Sequence, residues 1–545
     1  MASEIHPKHE ALEAQDGSPR YDEKMGTSEA IDAPKKSWAL RNGLTPASFG
    51  AHEDYSKGTV ELSRDMKPRH LNMIAIGGSI GAGFFVGSGG ALQTGGPGSL
   101  TIGFLIMGVM IFNVVYALGE LAVMYPVSGG FYTYANRFVD PSWGFAMGWN
   151  YVMQWAFVLP LELTVCGTVI QYWAPDTSVA IWVSEVQATV FTMSTGEPSF
   201  GTTPELSSMV SEDSAVSHRV PNSSSASITN SLFVGVFVTA AFSFSGTELV
   251  GLAAAEAQNP AKALPGAIKQ VFWRITLFYV VGLLLVGFLV DSTDERLLNA
   301  GNNNPSASPF VIAASNAGLK GYDSFMNVII LVSVLSIGVS CVYGGSRTLV
   351  ALAQQGYAPK FFAFIDKSGR PLPAVVSIIA IGALGYISVN GDGTTVFIWL
   401  QALSGLAALF TWGSICLCHI RFRQAWKYHG HTLDEIPFKH VFGVYGSWVG
   451  LILIVIVLIA QFYTAITNID GSLGTAEGFF QSYLALPVVI AFYIIGYIWK
   501  REGWRKVSEI DLDTGRREHD WDTINAYRAQ LANGPAWKRL MHHLF

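Results

Sequence analysis

The chain has 545 residues, of which 50% are hydrophobic and 14% charged, whereas soluble domains carry roughly 25% charged residues. That deficit, with apolar blocks of roughly 20 residues or more, excludes a set of soluble domains and defines a polytopic, all-α membrane protein. A formal net charge of -6 lacks the basic footprint of a nucleic-acid binder, so no nucleic acid is expected as partner.

Residues 1–66 are polar, contain no apolar h-region and read as a cytoplasmic N-terminal tail. A membrane domain follows over 67–500, and a second cytoplasmic tail over 501–545. Apolar spans are expected near 71–91, 99–124, 144–172, 232–256, 271–290, 324–352, 373–389, 395–420, 446–466 and 480–499, about ten in all. Lys67, Arg69, Arg137, Lys262, Lys269, Lys360, Arg370, Arg421, Arg423, Lys439, Lys500 and Arg505 fall before the first span, in every second loop and in the tail. Alternate loops carry Asp291, Asp294, Asp323, Asp392, Asp470 and Glu477. By the positive-inside rule both termini are cytoplasmic, in agreement with an even span count.

Between the third and fourth spans, 173–231 reads as a polar, disordered outward loop. Its stretch from Ala180 to Met193 holds Glu185 and Gln187 and is too short to span comfortably. Asn222 begins an Asn-Ser-Ser glycosylation sequon there.

Two spans are interrupted by small residues: Gly77, Gly78, Ser79, Ile80, Gly81, Ala82 and Gly83 in the first, and Ser243, Phe244, Ser245, Gly246, Thr247 and Glu248 in the fourth. Glycine costs about 1 kcal/mol in a helix interior relative to alanine, which disfavours a continuous helix through either run. Small residues also let helices pack closely, and Gly77 and Gly81 have the Gly-x-x-x-Gly spacing of such seams. Paired interruptions, however, are the sequence pointer to a transporter site, with half-helix N–H groups and freed carbonyls as ligands.

Carboxylates inside spans are expensive and mark function by default. Glu120, Glu162 and Glu248 are the candidates for proton coupling or intramembrane charge. Glu120 reads equally as a helix-end carboxylate reaching water. Glu162 follows Pro160, which can bend the helix, so it can instead pair with freed backbone groups. Trp149, Trp155, Trp173, Trp412, Trp448 and Trp499 read as interfacial belts, and Arg347 and His419 as residues near the cytoplasmic face. Cys166, Cys341, Cys416 and Cys418 lie in apolar blocks without a metal-ligand spacing, so no metal is expected. Hydrolase and P-loop motifs are absent, which argues against an enzyme or ATP-driven pump.

The strings HLNMIAIGG (70–78), ALGELA (117–122), YPVSGGF (125–131), RFVDP (137–141), FSFSGTEL (242–249), SPFV (308–311), SRTL (346–349), IRFR (420–423) and IDLDTGRR (510–517) resemble those of the fungal amino-acid permeases. These belong to the amino acid–polyamine–organocation superfamily, and the general amino-acid permeases are the most similar group. The resemblance implies a leucine-transporter-type fold of 12 helices and proton-coupled amino-acid uptake at the plasma membrane, with protons as coupling ion and no cofactor. It implies that N–H groups around Gly78 to Gly83 bind the substrate carboxylate. It further implies that carbonyls near Phe242 and Ser245 take the ammonium and that Phe244 covers the side chain. It also suggests ubiquitin ligase as a partner of lysines in the tails. The polar segment departs from the pattern: it stands where the family places its fourth and fifth helices and its coupling lysine. That departure leads to the expectation of an altered or mis-spliced region over about 181–231, and of a transport-defective permease or non-transporting sensor as the alternative function.

Overall fold

The computed structural model describes residues 74–195, 230–297, 308–466, 474–517 and 521–532, with gaps at 75–76, 79, 127–128, 258–259, 295, 320, 367–368 and 390–392. Ser79, Asn222 and the N-terminal tail therefore lie outside the described residues. The regular elements of the described residues are helices, and among these residues seven helices are long and apolar enough to cross a membrane, with shorter apolar ones at Leu372–Ile387 and Ala485–Lys500.

A π-helical turn, Gly83–Gly87, leads into α1 (Ser88–Met124). The two expected spans at 71–91 and 99–124 meet inside this helix at Gly96, whose φ of 73° precedes Pro97 and breaks the helical path. A short helix, α2 (Phe131–Phe138), precedes α3 (Pro141–Gln171). The start of α3 is fixed by Pro141 at the first helical position and by Asp140, whose carboxylate accepts the Ser142 N–H at 2.7 Å.

The polar segment holds a helix, contrary to the expectation of a disordered loop. Val179–Thr195 forms α4, which buries Val183, Val186 and Val190. That i, i+3, i+7 spacing is one helical face, while Glu185 on the opposite side is exposed and Gln187 donates to the Ile379 carbonyl at 2.8 Å. At one end Tyr172, just after α3, bonds Asp323 at 2.5 Å. At the other the Thr195 carbonyl accepts from Arg370 at 3.0 Å. Polar side chains on its exposed face lowered its hydropathy.

Next come α5 (Asn230–Phe244) and α6 (Leu249–Ala253), separated by a turn, then α7 (Pro260–Arg274), which runs through the π-helical segment Ile275–Gly282 into α8 (Leu283–Leu289). The remaining helices are α9 (Pro309–Asn316), α10 (Tyr322–Gln354), α11 (Leu372–Gly382), α12 (Gly393–Tyr428), α13 (Gly443–Ile466), α14 (Ala476–Tyr483), α15 (Ala485–Lys500) and α16 (Trp521–Ala532). Helix α3 is the hub, packing on α4, α10, α11, α12 and α15. Helices α13, α8 and α15 present many exposed apolar side chains such as Phe288, Ile459 and Ile498, as a lipid-facing surface requires.

Residues 502–517 form a strap across one end of the bundle rather than a detached tail. Ser142 Oγ donates to the Glu502 carbonyl at 3.1 Å, Arg505 N–H to Val139 O at 2.9 Å, Tyr125 Oη to Leu512 O at 2.7 Å and Arg517 N–H to Met124 O at 3.0 Å. Its own Ile510 and Leu512 are buried.

Candidate functional site

Both glycine-rich runs break their helices, and the breaks touch. In the first, Ile80 and Gly81 form bends between the end of one helical turn at Gly77–Gly78 and the start of another at Ala82. In the second, Ser245–Glu248 forms turns between α5 and α6, with Gly246 at φ +94°. A Cβ on Gly246 would lie 1.9 Å from the Gly78 carbonyl oxygen; only glycine allows the two backbones to approach this closely. The packing reading of the first run holds as well. A Cβ on Gly77 would meet Ser336 Oγ at 2.5 Å, and one on Gly81 would meet Ile337 Cδ1 at 2.2 Å, so both glycines seat the broken segment against α10.

Gly81, Gly83, Trp155, Val158, Glu162, Phe242, Ser243, Ser245 and Ile337 line a small cavity at these breaks. Glu162 is buried at its edge and accepts the Ala82 N–H at 3.4 Å, the pairing with freed backbone that its position after Pro160 suggested. Gln154 Nε2 donates to Ser245 Oγ at 2.8 Å, and Gln154 Oε1 has no hydrogen-bond partner among the described residues. Glu248 is fully buried behind the second break, where its carboxylate accepts from Gly246 N–H at 3.2 Å and from Trp412 Nε1 at 3.1 Å.

Phe244 is not at this cavity. Its ring stacks on Tyr279, centroids 4.3 Å apart, and packs on Phe104, while Phe242 supplies the aromatic wall. Trp155 and Trp412 are not belt residues either: both are buried, one on the cavity and one on Glu248. Trp448 and Trp499 are exposed as belts require. Gln154 and Tyr279, whose Oη donates to the Ser243 carbonyl at 2.7 Å, carry no special signal in the sequence because a lone polar or aromatic residue in an apolar helix reads as packing.

The third carboxylate is elsewhere. Glu120 is buried near the end of α1, paired with Arg423 Nε at 2.6 Å and His419 Nε2 at 3.1 Å, and it accepts the His440 N–H at 2.8 Å. It does not reach water and does not join the cavity; it holds α1, α12 and the loop before α13 together. His419 is likewise buried within this cluster. Arg347 pairs with Glu256 at 3.3 Å and lies over the Tyr343 ring at 4.6 Å, a fixed contact in place of snorkelling.

His440, in the loop ahead of α13, is buried with Nε2 3.2 Å from the Asn113 carbonyl and Nδ1 accepting from Phe442 N–H at 3.0 Å. That network assigns the neutral tautomer with the proton on Nε2. Burial, with His419 nearby, lowers its pKa to about 4. The unfolded chain then binds this proton more readily, so stability present at neutral pH is lost as pH falls from about 6.5 to 4, by roughly 3 kcal/mol. The melting-temperature difference between wild type and His440→Asn is expected to shrink across that window; a pH-independent difference would refute the assignment.

A multi-pass helical protein in which two interrupted helices abut at a buried cavity has the architecture of a secondary transporter. The family model for amino acid permeases matches residues 70–196 and 198–509, so the match runs through α4 and almost unbroken across the polar segment. The chain is 58% identical to amino-acid permease inda1 of Hypocrea atroviridis, covering 93% of this chain and 94% of that protein. It is 43% identical to the general amino-acid permease GAP2 of Candida albicans, covering 97% and 95% respectively. With GAP1 of Saccharomyces cerevisiae it shares 44% identity over 88% of this chain and 85% of that one. The chain belongs to the amino acid permease family, and its relatives are transporters rather than enzymes. Neither a transport-defective form nor a sensor is favoured by these relatives.

Proposed function

We propose that the protein imports amino acids across the plasma membrane by proton symport, with both termini in the cytoplasm. The observation that carries this reading is the meeting of the two helix breaks at Gly78 and Gly246, beside a cavity lined by backbone groups, Ser245 and a buried carboxylate, with Gln154 hydrogen-bonded to Ser245. A zwitterion needs donors for its carboxylate and acceptors for its ammonium, and broken helices supply both without a buried charge of their own. N–H groups from Gly78 to Gly83 take the carboxylate. Carbonyls near Phe242 and Ser245, with Gln154 Oε1, take the ammonium. Glu162 and Glu248 are the carboxylates for proton coupling, and Glu120, paired with Arg423 and His419, takes a structural role in this reading. The alternation of basic and acidic loops supports the orientation, and lysines of the tails are the acceptors for a ubiquitin ligase.

The test is uptake of labelled amino acids by the full chain in permease-deficient cells. Saturable uptake that collapses with a protonophore is expected. Uptake indifferent to the proton gradient would overturn symport, and no uptake would overturn import. Within this reading, Gln154→Ala loses the hydrogen bond to the cavity-lining Ser245 and the acceptor next to it. A neutral hydrogen bond contributes about 1 kcal/mol, so the KM should rise roughly fivefold at unchanged membrane abundance; an unaltered KM would remove Gln154 from the site.

A further inference from the structure

The middle of the strap reads Arg505-Lys506-Val507-Ser508, a serine preceded by lysine at the second position back and arginine at the third. That is the charge pattern by which basic-directed serine/threonine kinases choose a substrate: acidic side chains of the kinase pair with the bases while the hydroxyl is presented to ATP.

These residues form an arch between two fixed points. On one side Arg505 N–H donates to Val139 O at 2.9 Å, Arg505 Nε donates to Asn136 O at 3.2 Å, and Arg421 donates to the Arg505 carbonyl. On the other, Ile510 and Leu512 are buried and Tyr125 Oη holds the Leu512 carbonyl. Between them Val507–Glu509 makes a 3₁₀ turn, closed by Glu509 N–H on Lys506 O at 3.0 Å. The side chains of Lys506 and Glu509 are 79% and 57% exposed, Ser508 is exposed as well, and Val507 alone in the turn packs on the core. A partner therefore reaches the Ser508 hydroxyl by lifting residues 506–509, a local opening that leaves every membrane helix in place.

We propose that Ser508 is a phosphate-acceptor site for a basic-directed serine/threonine kinase, and that the phosphate releases the strap at Arg505. In the transfer Ser508 Oγ bonds the γ-phosphorus of ATP, the bond from that phosphorus to ADP breaks, and the hydroxyl proton passes to the kinase. The product sets a strong anion beside Glu509 and within one turn of Arg505. Lys506, now 3.7 Å from Glu509, gains a stronger partner. So does Arg505, whose guanidinium bonds only a neutral carbonyl at Asn136 and the Glu502 carboxylate at 3.4 Å. Paired charge-assisted bonds to a phosphate outcompete both, so the guanidinium leaves α2 and the strap loses its side-chain tie there. The site meets ATP only under the cytoplasmic orientation proposed above, and the two fail separately.

The test uses the purified full chain in lipid nanodiscs with ATP and the catalytic domain of a basic-directed serine kinase, beside a peptide of residues 500–513. Mass spectrometry should find phosphate on Ser508 in most chains and none on this stretch in Ser508→Ala. In the peptide, Arg505→Gln removes one charged contact to the kinase and should slow labelling about tenfold. Labelling of the peptide without the chain overturns Ser508 as a site that the folded protein presents; labelling of neither overturns the motif. Hydrogen exchange then reads the release. The Arg505 amide, bonded to Val139 O, should exchange about tenfold or more faster once Ser508 is phosphorylated, and equal rates overturn the release. Finally, a membrane-impermeant amine reagent applied to intact cells should leave Lys506 unlabelled. Labelling from outside overturns the orientation, and with it phosphorylation in the cell, while the nanodisc measurements judge the acceptor site by themselves.

Discussion

Gly246→Ala is expected to abolish uptake and most of the folded protein. The added Cβ would sit 1.9 Å from the Gly78 carbonyl oxygen and 3.3 Å from Trp155 Cη2, at a backbone φ of +94°. The nearer atom is backbone, so no side-chain rotation relieves the clash, and the two breaks must separate. Left-handed conformation alone costs about 1 kcal/mol for a residue with a Cβ; overpacking against backbone adds roughly 1–3 kcal/mol or more. Gly96→Ala separates the two contributions, since Gly96 has φ +73° with nothing within 4 Å of its Cβ position. With ψ at 173° that position is open essentially to glycine alone, so the variant should lose about 1–3 kcal/mol through backbone strain without a clash, and less than Gly246→Ala. Normal uptake by Gly246→Ala, assayed alongside membrane abundance, would contradict the abutment of the breaks.

Removing the Glu120 carboxylate is the second large effect. Glu120→Ala leaves Arg423, 2.6 Å away, and the buried His419 facing each other, strands the His440 N–H, and should cost about 3–5 kcal/mol, as broken buried ion pairs do. The variant should fail to accumulate. Glu120→Leu combined with Arg423→Met replaces the pair by apolar groups and should recover part of the loss, because the penalty arises from the orphaned cation rather than from a missing attraction. In membranes of cells expressing each form, equal abundance of wild type and Glu120→Ala would show that the cluster is not structural.

The helix breaks were legible because glycine and serine at mid-span contradict helix propensity, and all three acids because charge in an apolar run stands out. What surrounds them was not. Trp155 and Trp412 have the composition of an interfacial belt, and only the packing of α3 against α12 turns them inward. Glu120 and Glu162 look alike in sequence; one is fixed by cations contributed from 300 residues further along the chain, the other by one N–H of a broken helix. Helix α4 went unread because hydropathy averages over both faces, although the valine spacing at 183, 186 and 190 was there to be counted. The buried Arg274 drew no notice because its span was expected from 271, with Lys269 read as a loop charge, whereas the helix begins at Pro260.

The strap over residues 502–517 bears on the order in which the molecule can be completed. Its bonds reach back 387 residues, from Leu512 to Tyr125, and join the first hydrophobic hairpin of α1 and α3 to a segment that leaves the ribosome after every membrane helix has been inserted. Tyr125, Val139 and Ser142 stay without these partners until then, so the closure of this end of the bundle reports that synthesis has passed α15. Chains cut before residue 502 would carry all their spans and still present an open end to quality control.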